Sequence, residues 1–317
     1  MAQDQTQSRL APMGLSRLRI AAFLIAVIWL ALVGYVMFPA QLGALHNHIL
    51  LPAIPAVIVL YVMAFRAWRG SPIALIGLTL VAFWVLMAVS APYLPILDPN
   101  KPVAPFALPG TEVNGMKLWL GADMRGRDML SRTIWGCQRV LVWGISATAA
   151  AYIVGAAFGL IAGYLGGWWD EAVSYVGNVL LSFPVMILLI LVLNYLGQSG
   201  FNIILAVTCS SAPSIMRIVR GLSLDAKTRD YIQAAQTRGE NALWIILVEI
   251  LPNVRGPIIV DACLRLGYTT VAITTLTFLG LGLQPPDPDW GLMIKEASSA
   301  ASAAASAAAV AAAPAAR

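Results

Sequence analysis

The feature that most constrains this chain is a series of apolar runs, each close to the length a helix needs to cross a bilayer. They cover 20–38, 49–65, 71–91, 138–164, 173–196, 200–220 and 256–280. A spanning helix needs about 20 mainly apolar residues. The runs are continuous and do not alternate, so they predict helices rather than barrel strands. The run 49–65 is short and holds Pro52 and Pro55. With 59% of residues hydrophobic and 11% charged, one water-soluble core could not hide this much apolar surface. The expected fold class is all-α, a polytopic transmembrane helical bundle. A net charge of +5, scattered along the chain, does not suit nucleic acid.

The first run follows Arg9, Arg17 and Arg19 and is too long for a signal-peptide core, so an uncleaved span is expected. Placing the N-terminus in the cytoplasm puts Arg66, Arg69, Arg217, Arg220, Lys227, Arg229 and Arg238 inside, as the positive-inside bias prefers. The 92–133 segment then lies outside, although it carries Lys101, Lys117, Arg125, Arg127 and Arg132; longer loops obey the bias less well. Its opening, "APYLPILDPNKPVAPFALPG", is proline-rich and predicts extended chain on the outer surface.

Little in the chain suits covalent or metal chemistry. Cys137, Cys209 and Cys263 are far apart and have no CxxC spacing, which argues against a zinc site or disulfide framework. Both histidines lie in His46-Asn47-His48, too few ligands for a metal centre; helix capping explains them better. No Ser/His/Asp set or carboxylate pair suggests catalysis, and no G-x-x-x-x-G-K-[ST] loop is present to cradle a nucleotide phosphate.

One segment departs from the apolar pattern. Residues 222–252 form a predicted cytoplasmic loop, longer than the few residues a turn between helices requires. Its first part, "DAKTRDYIQAAQTRG", is helix-compatible, and Ala234 and Ala235 would offer a flat patch for close approach by another surface. Gly239 offers a helix stop, and Pro252 fits the start of the next span, where a missing N–H costs little. A plain interfacial anchor fits the same pattern.

Three further clusters stand out, and the first two each admit two readings. Asp261 and Arg265, four apart in an apolar span, make either a self-neutralising pair near the cytoplasmic end or part of a translocation path. Arg125, Arg127 and Asp128 make either a solvated entrance helix or an extracytoplasmic contact for a partner protein. Gly163, Gly166 and Gly167, followed by Trp168, Trp169 and Asp170, predict a tight interfacial turn.

The amphipathic segment resembles the coupling motif of binding-protein-dependent ABC importer permeases, E-A-A, three residues, G, then a hydrophobic run to L-P. Here Gln233-Ala234-Ala235, Gly239 and Leu251-Pro252 supply it, with Gln233 where the family has Glu. "LGADMRGRDMLSR" (120–132), "GYLGGWWDE" (163–171), "APSIMRIVRG" (212–221) and "FLGLGLQPPDPDWG" (278–291) are similar to motifs of the C-type subunit of dipeptide, oligopeptide and nickel permeases. The resemblance covers about 71–296 and implies the type I ABC importer permease fold in a bacterial inner membrane. It implies a homologous B-type permease, two cytoplasmic ATPases that hold ATP and magnesium, and an extracytoplasmic solute-binding protein. The chain itself would carry no catalytic residue, cofactor or metal. Gln233, Ala234, Ala235, Gly239, Leu251 and Pro252 would face the ATPases.

The implied organisation is an N-terminal extension with two extra spans (1–68), a span plus extracytoplasmic loop (69–133), a core permease domain (134–296) and an alanine-rich tail or incomplete last helix (297–317). The two extra runs have no family equivalent, Ile273 stands where many relatives have Glu, and the family's last span is not recognisable after Glu296. The rival reading is a stand-alone channel or secondary transporter, which would call for inverted repeats. No internal repeat is evident.

Overall fold

The computed structural model describes residues 71–113 and 115–312, together with Ile58, Tyr61 and Val62. The expected span at 20–38, the His46–His48 turn, most of the 49–65 run and Arg66 and Arg69 lie outside the described residues. The chain divides into two compact units, Met1–Leu94 and Pro95–Arg317. The proline-rich segment therefore belongs with the core helices rather than with the span before it.

The first unit contributes helix α1, Pro72–Ser90, extended by a short 3-10 turn to Tyr93. Pro72 opens it, where its missing N–H costs nothing. The helix carries no charged residue and leaves Ile73, Ile76, Leu80, Val81 and Phe83 exposed, as a bilayer-facing helix would.

The second unit opens with a folded loop. Strands β1 (Glu112–Val113) and β2 (Met116–Lys117) pair antiparallel. The proline-rich chain is laced to the 121–126 turn by Val103 N–H donating to Gly126 O (2.7 Å), Phe106 N–H to Asp123 O (3.1 Å) and Ala122 N–H to Ala107 O (3.0 Å). Gly121 has φ +78, and a Cβ there would lie 2.6 Å from Ala107 O, so only glycine closes this turn.

Helix α2, Met129–Leu165, follows. At 1.5 Å per residue it is about 55 Å long, enough to cross a bilayer and project beyond it. Gly166 (φ +70) and Gly167 (φ +54) then turn the chain into α3, Gly167–Leu181. Helix α4, Val185–Leu196, meets α3 at a 92° bend. The single straight span expected over 173–196 is therefore a broken pair. Pro184 explains the break: it lacks an N–H for the ladder and disfavours helical conformation in the residue before it.

Helix α5, Gly200–Lys227, packs along α2 over the longest interface of the unit. That approach depends on Gly155, Gly159 and Gly163, spaced one per turn on α2. A Cβ at these positions would meet Ala212 O (2.7 Å), Met216 O (2.7 Å) and Ser223 Cβ (2.7 Å). Small residues at this spacing let helix backbones approach closely where water supplies no hydrophobic drive. Gly163 is thus a packing residue inside α2, and the turn begins only at Gly166.

A short helix α6, Asp230–Thr237, leads to α7, Ala242–Phe278, whose Ile245–Ile250 stretch adopts the wider π register. Pro252 lies just past this stretch. A proline cannot donate to the carbonyl four residues back and crowds it; a wider turn at that point relieves both problems. Helix α8, Trp290–Ala312, completes the described chain, so the alanine-rich stretch is helical as far as Ala312, as alanine favours.

Among the described residues, α1 with its following turn, α2, α5 and α7 are long and apolar enough to cross a membrane, with the bent α3–α4 pair as a further candidate. The fold class is the expected all-α membrane bundle.

Candidate functional site

The two ends of α2 gather different motifs. At its N-terminal end lie the 120–132 and 278–291 motifs; at its C-terminal end lie 163–171, the end of α5 and α6.

The N-terminal end is organised by Asp123. Its Oδ1 accepts from the backbone N–H of Arg125 and of Arg127, both at 2.9 Å, and its Oδ2 accepts from Arg127 Nε at 2.7 Å. Arg127 Nη2 also reaches Glu296 Oε2 on α8 at 2.5 Å. Arg132, fully buried, lies 3.5 Å from the same Glu296 oxygen and donates to Pro99 O at 3.4 Å. Asp128 caps α2 by accepting from the Ser131 N–H (2.9 Å) and hydroxyl (2.7 Å).

Of the three residues considered for an extracytoplasmic contact, Arg127 and Asp128 are therefore buried and committed within the chain. Arg125 alone stays exposed, 3.6 Å from Glu296. The second motif locks onto the same end. Asp289 Oδ1 accepts from Gly291 N–H (2.9 Å) and Leu292 N–H (3.2 Å), and Trp290 Nε1 donates to Thr133 O at 3.0 Å. Burial pushes the Asp289 carboxyl above the ordinary carboxylate range, against the opposing pull of the Leu292 and Gly291 N–H donors. Sequence reasoning missed Asp123 and Glu296 as organising residues. Asp123 sat within a quoted motif, whereas Glu296 is tied to it only across the fold.

At the C-terminal end, Asp170 and Arg220 form a two-point ion pair, with Arg220 Nη2 donating to Asp170 Oδ2 at 2.6 Å. It joins the "GYLGGWWDE" and "APSIMRIVRG" motifs, a pairing that neither motif announces alone.

The amphipathic segment sits beside this pair. Because α5 continues to Lys227 and α7 begins at Ala242, the segment outside the long helices is 228–241, shorter than the 222–252 loop expected. Ile232 and Ala235, one turn apart on α6, are fully buried against Tyr164, Ile245, Ile246 and Ile250. Gln233 and Ala234 are exposed, so the two alanines differ in role: Ala235 seats the helix and Ala234 presents a small outer surface. Gly239 (φ +77) ends α6 with no neighbour within 4 Å of a would-be Cβ.

Asn241 then caps α7 by accepting from Trp244 N–H at 2.7 Å. Arg238 bridges the turn to Glu249 at 3.2 Å, and Gln236 donates to the Tyr164 hydroxyl at 3.4 Å. Leu251 is half-buried and Pro252 exposed, both inside α7 rather than at its start. Local hydrogen bonds and buried apolar residues thus hold the segment as one helix–turn–helix element.

Asp261 and Arg265 lie near the middle of α7, between these two ends. They are bonded at 2.8 Å, and each is about a quarter exposed. The Tyr152 hydroxyl of α2 donates to Asp261, and Arg265 Nη1 donates to the Ser214 hydroxyl of α5 at 2.8 Å. Because α7 begins at Ala242, the pair lies near the middle of the helix. Among the described residues no group of three metal-ligating side chains comes together.

Comparison with known proteins places this arrangement. Residues 155–316 match the family described as binding-protein-dependent transport system inner membrane component. The chain is 34% identical to the dipeptide transport system permease protein DppC of Alkalihalophilus pseudofirmus, over 74% of this chain and 76% of that protein. It is 39% identical to the glutathione transport system permease protein GsiD of Pectobacterium atrosepticum, over 57% of this chain and 60% of that protein. It is 33% identical to the probable D,D-dipeptide transport system permease protein DdpC of Escherichia coli, over 71% and 75%. The chain belongs to this family of membrane permeases of ABC import systems.

Proposed function

From this membership we propose that the chain is a C-type permease subunit of an ATP-driven importer for peptides or a related small solute. It works beside a homologous permease, two ATPase subunits that hold ATP and magnesium, and a solute-binding protein, with its N-terminus in the cytoplasm. The observation that carries the proposal is the seating of α6. Ile232 and Ala235 anchor it to the ends of α2 and α7, while Gln233 and Ala234 stay free to meet an ATPase. Closure of the ATPase pair then moves α6, and the buried face passes the motion to α2 and α7 as rigid bodies. At the opposite end of α2, Arg125 is the exposed charge for a solute-binding protein or the second permease, and Arg127 and Asp128 hold its loop in shape.

Co-purification tests the reading. ATPase subunits co-purify with the wild-type chain, and Ala234→Arg abolishes their binding while the chain stays folded. Retention of the ATPases by Ala234→Arg overturns the docking role of α6, and ATP-independent uptake by the chain alone overturns the importer reading in favour of a stand-alone transporter.

A further inference from the structure

The charge pair in the middle of α7 is built as more than a self-contained ion pair. Asp261 Oδ2 accepts both from Arg265 Nε at 2.8 Å and from the Tyr152 hydroxyl. Arg265 Nη1 donates to Ser214 at 2.8 Å. Three helices, α2, α5 and α7, thus each contribute to one polar cluster midway along the bundle. A guanidinium has five N–H donors. Among the described residues Arg265 is engaged through Nε and Nη1 and lies in reach of the Tyr152 hydroxyl, which leaves part of its donor set over, and no hydrogen bond reaches Asp261 Oδ1. Side chains that are 21% and 24% exposed are not sealed within the protein. Charges within a spanning helix are tolerated where they face a bundle interior or a wet path, and they are costly against lipid.

The orientation of the pair gives it a preference. Tyr152 and Arg265 Nε both hold Asp261, which fixes the carboxylate on one side of the guanidinium. Arg265 meets that carboxylate through Nε, while its Nη1 donates to the small hydroxyl of Ser214. A planar guanidinium edge matches a carboxylate in two-point geometry.

We propose that Tyr152, Ser214, Asp261 and Arg265 form a contact site for the carboxylate of the transported solute, with the Arg265 Nη edge as acceptor-binding group and Tyr152 and Asp261 as positioning residues. The site rests on the importer reading and adds to it a location in the path and a solute chemistry. Ser214 holds Nη1 in place and shares it with an arriving carboxylate. Asp261 Oδ1 remains free for an ammonium on the same solute, so a zwitterion satisfies both halves without altering the net charge of the cluster.

The test is charge-selective thiol labelling of the assembled complex in lipid nanodiscs, with Cys137, Cys209 and Cys263 replaced by Ala and Ser214→Cys introduced. The probes are an anionic sulfonate and a cationic trimethylammonium methanethiosulfonate, applied without nucleotide and with ATP plus vanadate. In at least one state the introduced thiol reacts about tenfold faster with the anion, the scale of a nearby cation's attraction at a half-wet site. Adding Arg265→Gln abolishes the anionic preference and, with Asp261 left unpaired, takes the ratio to one or below; adding Arg265→Lys preserves an anionic preference. Failure of both reagents in both states shows a dry structural network and overturns the proposal, as does a ratio that Arg265→Gln leaves unchanged. Absence of co-purifying ATPases would instead sink the importer reading, so the two failures are told apart.

Discussion

Arg127 Nη2 lies 2.5 Å from Glu296 Oε2, joining the turn before α2 to the second turn of α8 across 169 residues of sequence. Arg132 shares the same oxygen at 3.5 Å, and Asp123 balances both arginines from below. A buried cation left without its carboxylate is far more costly than an exposed one, because no water replaces the lost partner. Glu296→Ala is therefore expected to destabilise the chain by about 3–5 kcal/mol. Arg125→Ala removes only an exposed partner at 3.6 Å and costs less than about 1 kcal/mol. Thermal unfolding of the two variants in the same detergent, compared with wild type, checks the contrast; equal losses would show that burial does not govern this cluster.

The α2–α5 interface makes a second prediction. Gly159 faces Met216 O, and a Cβ there would stand 2.7 Å from that oxygen and 2.9 Å from Val219 Cβ. Gly159→Leu must push two backbones apart, which is expected to cost about 1–3 kcal/mol or more. Gly221→Ala, on α5 with nothing within 4 Å, is expected to be neutral or slightly stabilising, since alanine is the better helix former. The yield of folded, monodisperse protein measures the difference.

How far these features were legible in the sequence depends on the range of the interaction. The apolar runs announced helices, and Gly239 announced the end of α6, because a helix stop is a local event. The GxxxGxxxG spacing of Gly155, Gly159 and Gly163 was equally local, but only Gly163 was considered, and as part of a turn. Pro184 was legible as a breaker, yet the surrounding apolar run suggested a single span. By contrast, nothing adjacent to Asp170 names Arg220 as its partner. Ala234 and Ala235 look identical in sequence; only the position of the Ile232 face, fixed by packing against α2 and α7, buries one and exposes the other.

The turn after α6 makes a prediction about backbone conformation. Gly239 sits at φ +77 in open space, so a side chain is opposed there by backbone strain rather than by a clash. Gly239→Ala is expected to cost about 1–2 kcal/mol, and Gly239→Asn less, since asparagine tolerates the left-handed region. If the segment transmits motion, the same order holds for solute-dependent ATPase activity of the assembled complex. A ranking in which Asn is the worse substitution would show that side-chain space, not backbone conformation, limits this turn.

The Asp170–Arg220 pair couples the first turn of α3 to α5. Both side chains are partly exposed, 19% and 32%, so solvent screening reduces its worth to about 1 kcal/mol. A double-mutant cycle with Asp170→Asn and Arg220→Gln is expected to return a coupling energy of that size. Its size is the informative quantity: a coupling near zero would assign the two-point geometry to orientation of the helices rather than to stability.

Asp289 supplies a pH dependence with a definite sign. Burial raises its carboxyl above the ordinary carboxylate value, so the folded chain holds a proton that the unfolded chain has already released. The stability it contributes is complete below the ordinary carboxylate pKa of about 4 and is lost as pH rises through the raised folded value. Asp289→Asn keeps a side-chain oxygen for the Gly291 and Leu292 N–H groups and removes the titration. The unfolding temperature of wild type minus that of Asp289→Asn is therefore expected to fall as pH is raised from about 4, and to level off once the folded carboxyl has ionised. A difference that rises with pH over that window would mean that the N–H donors outweigh burial at this cap.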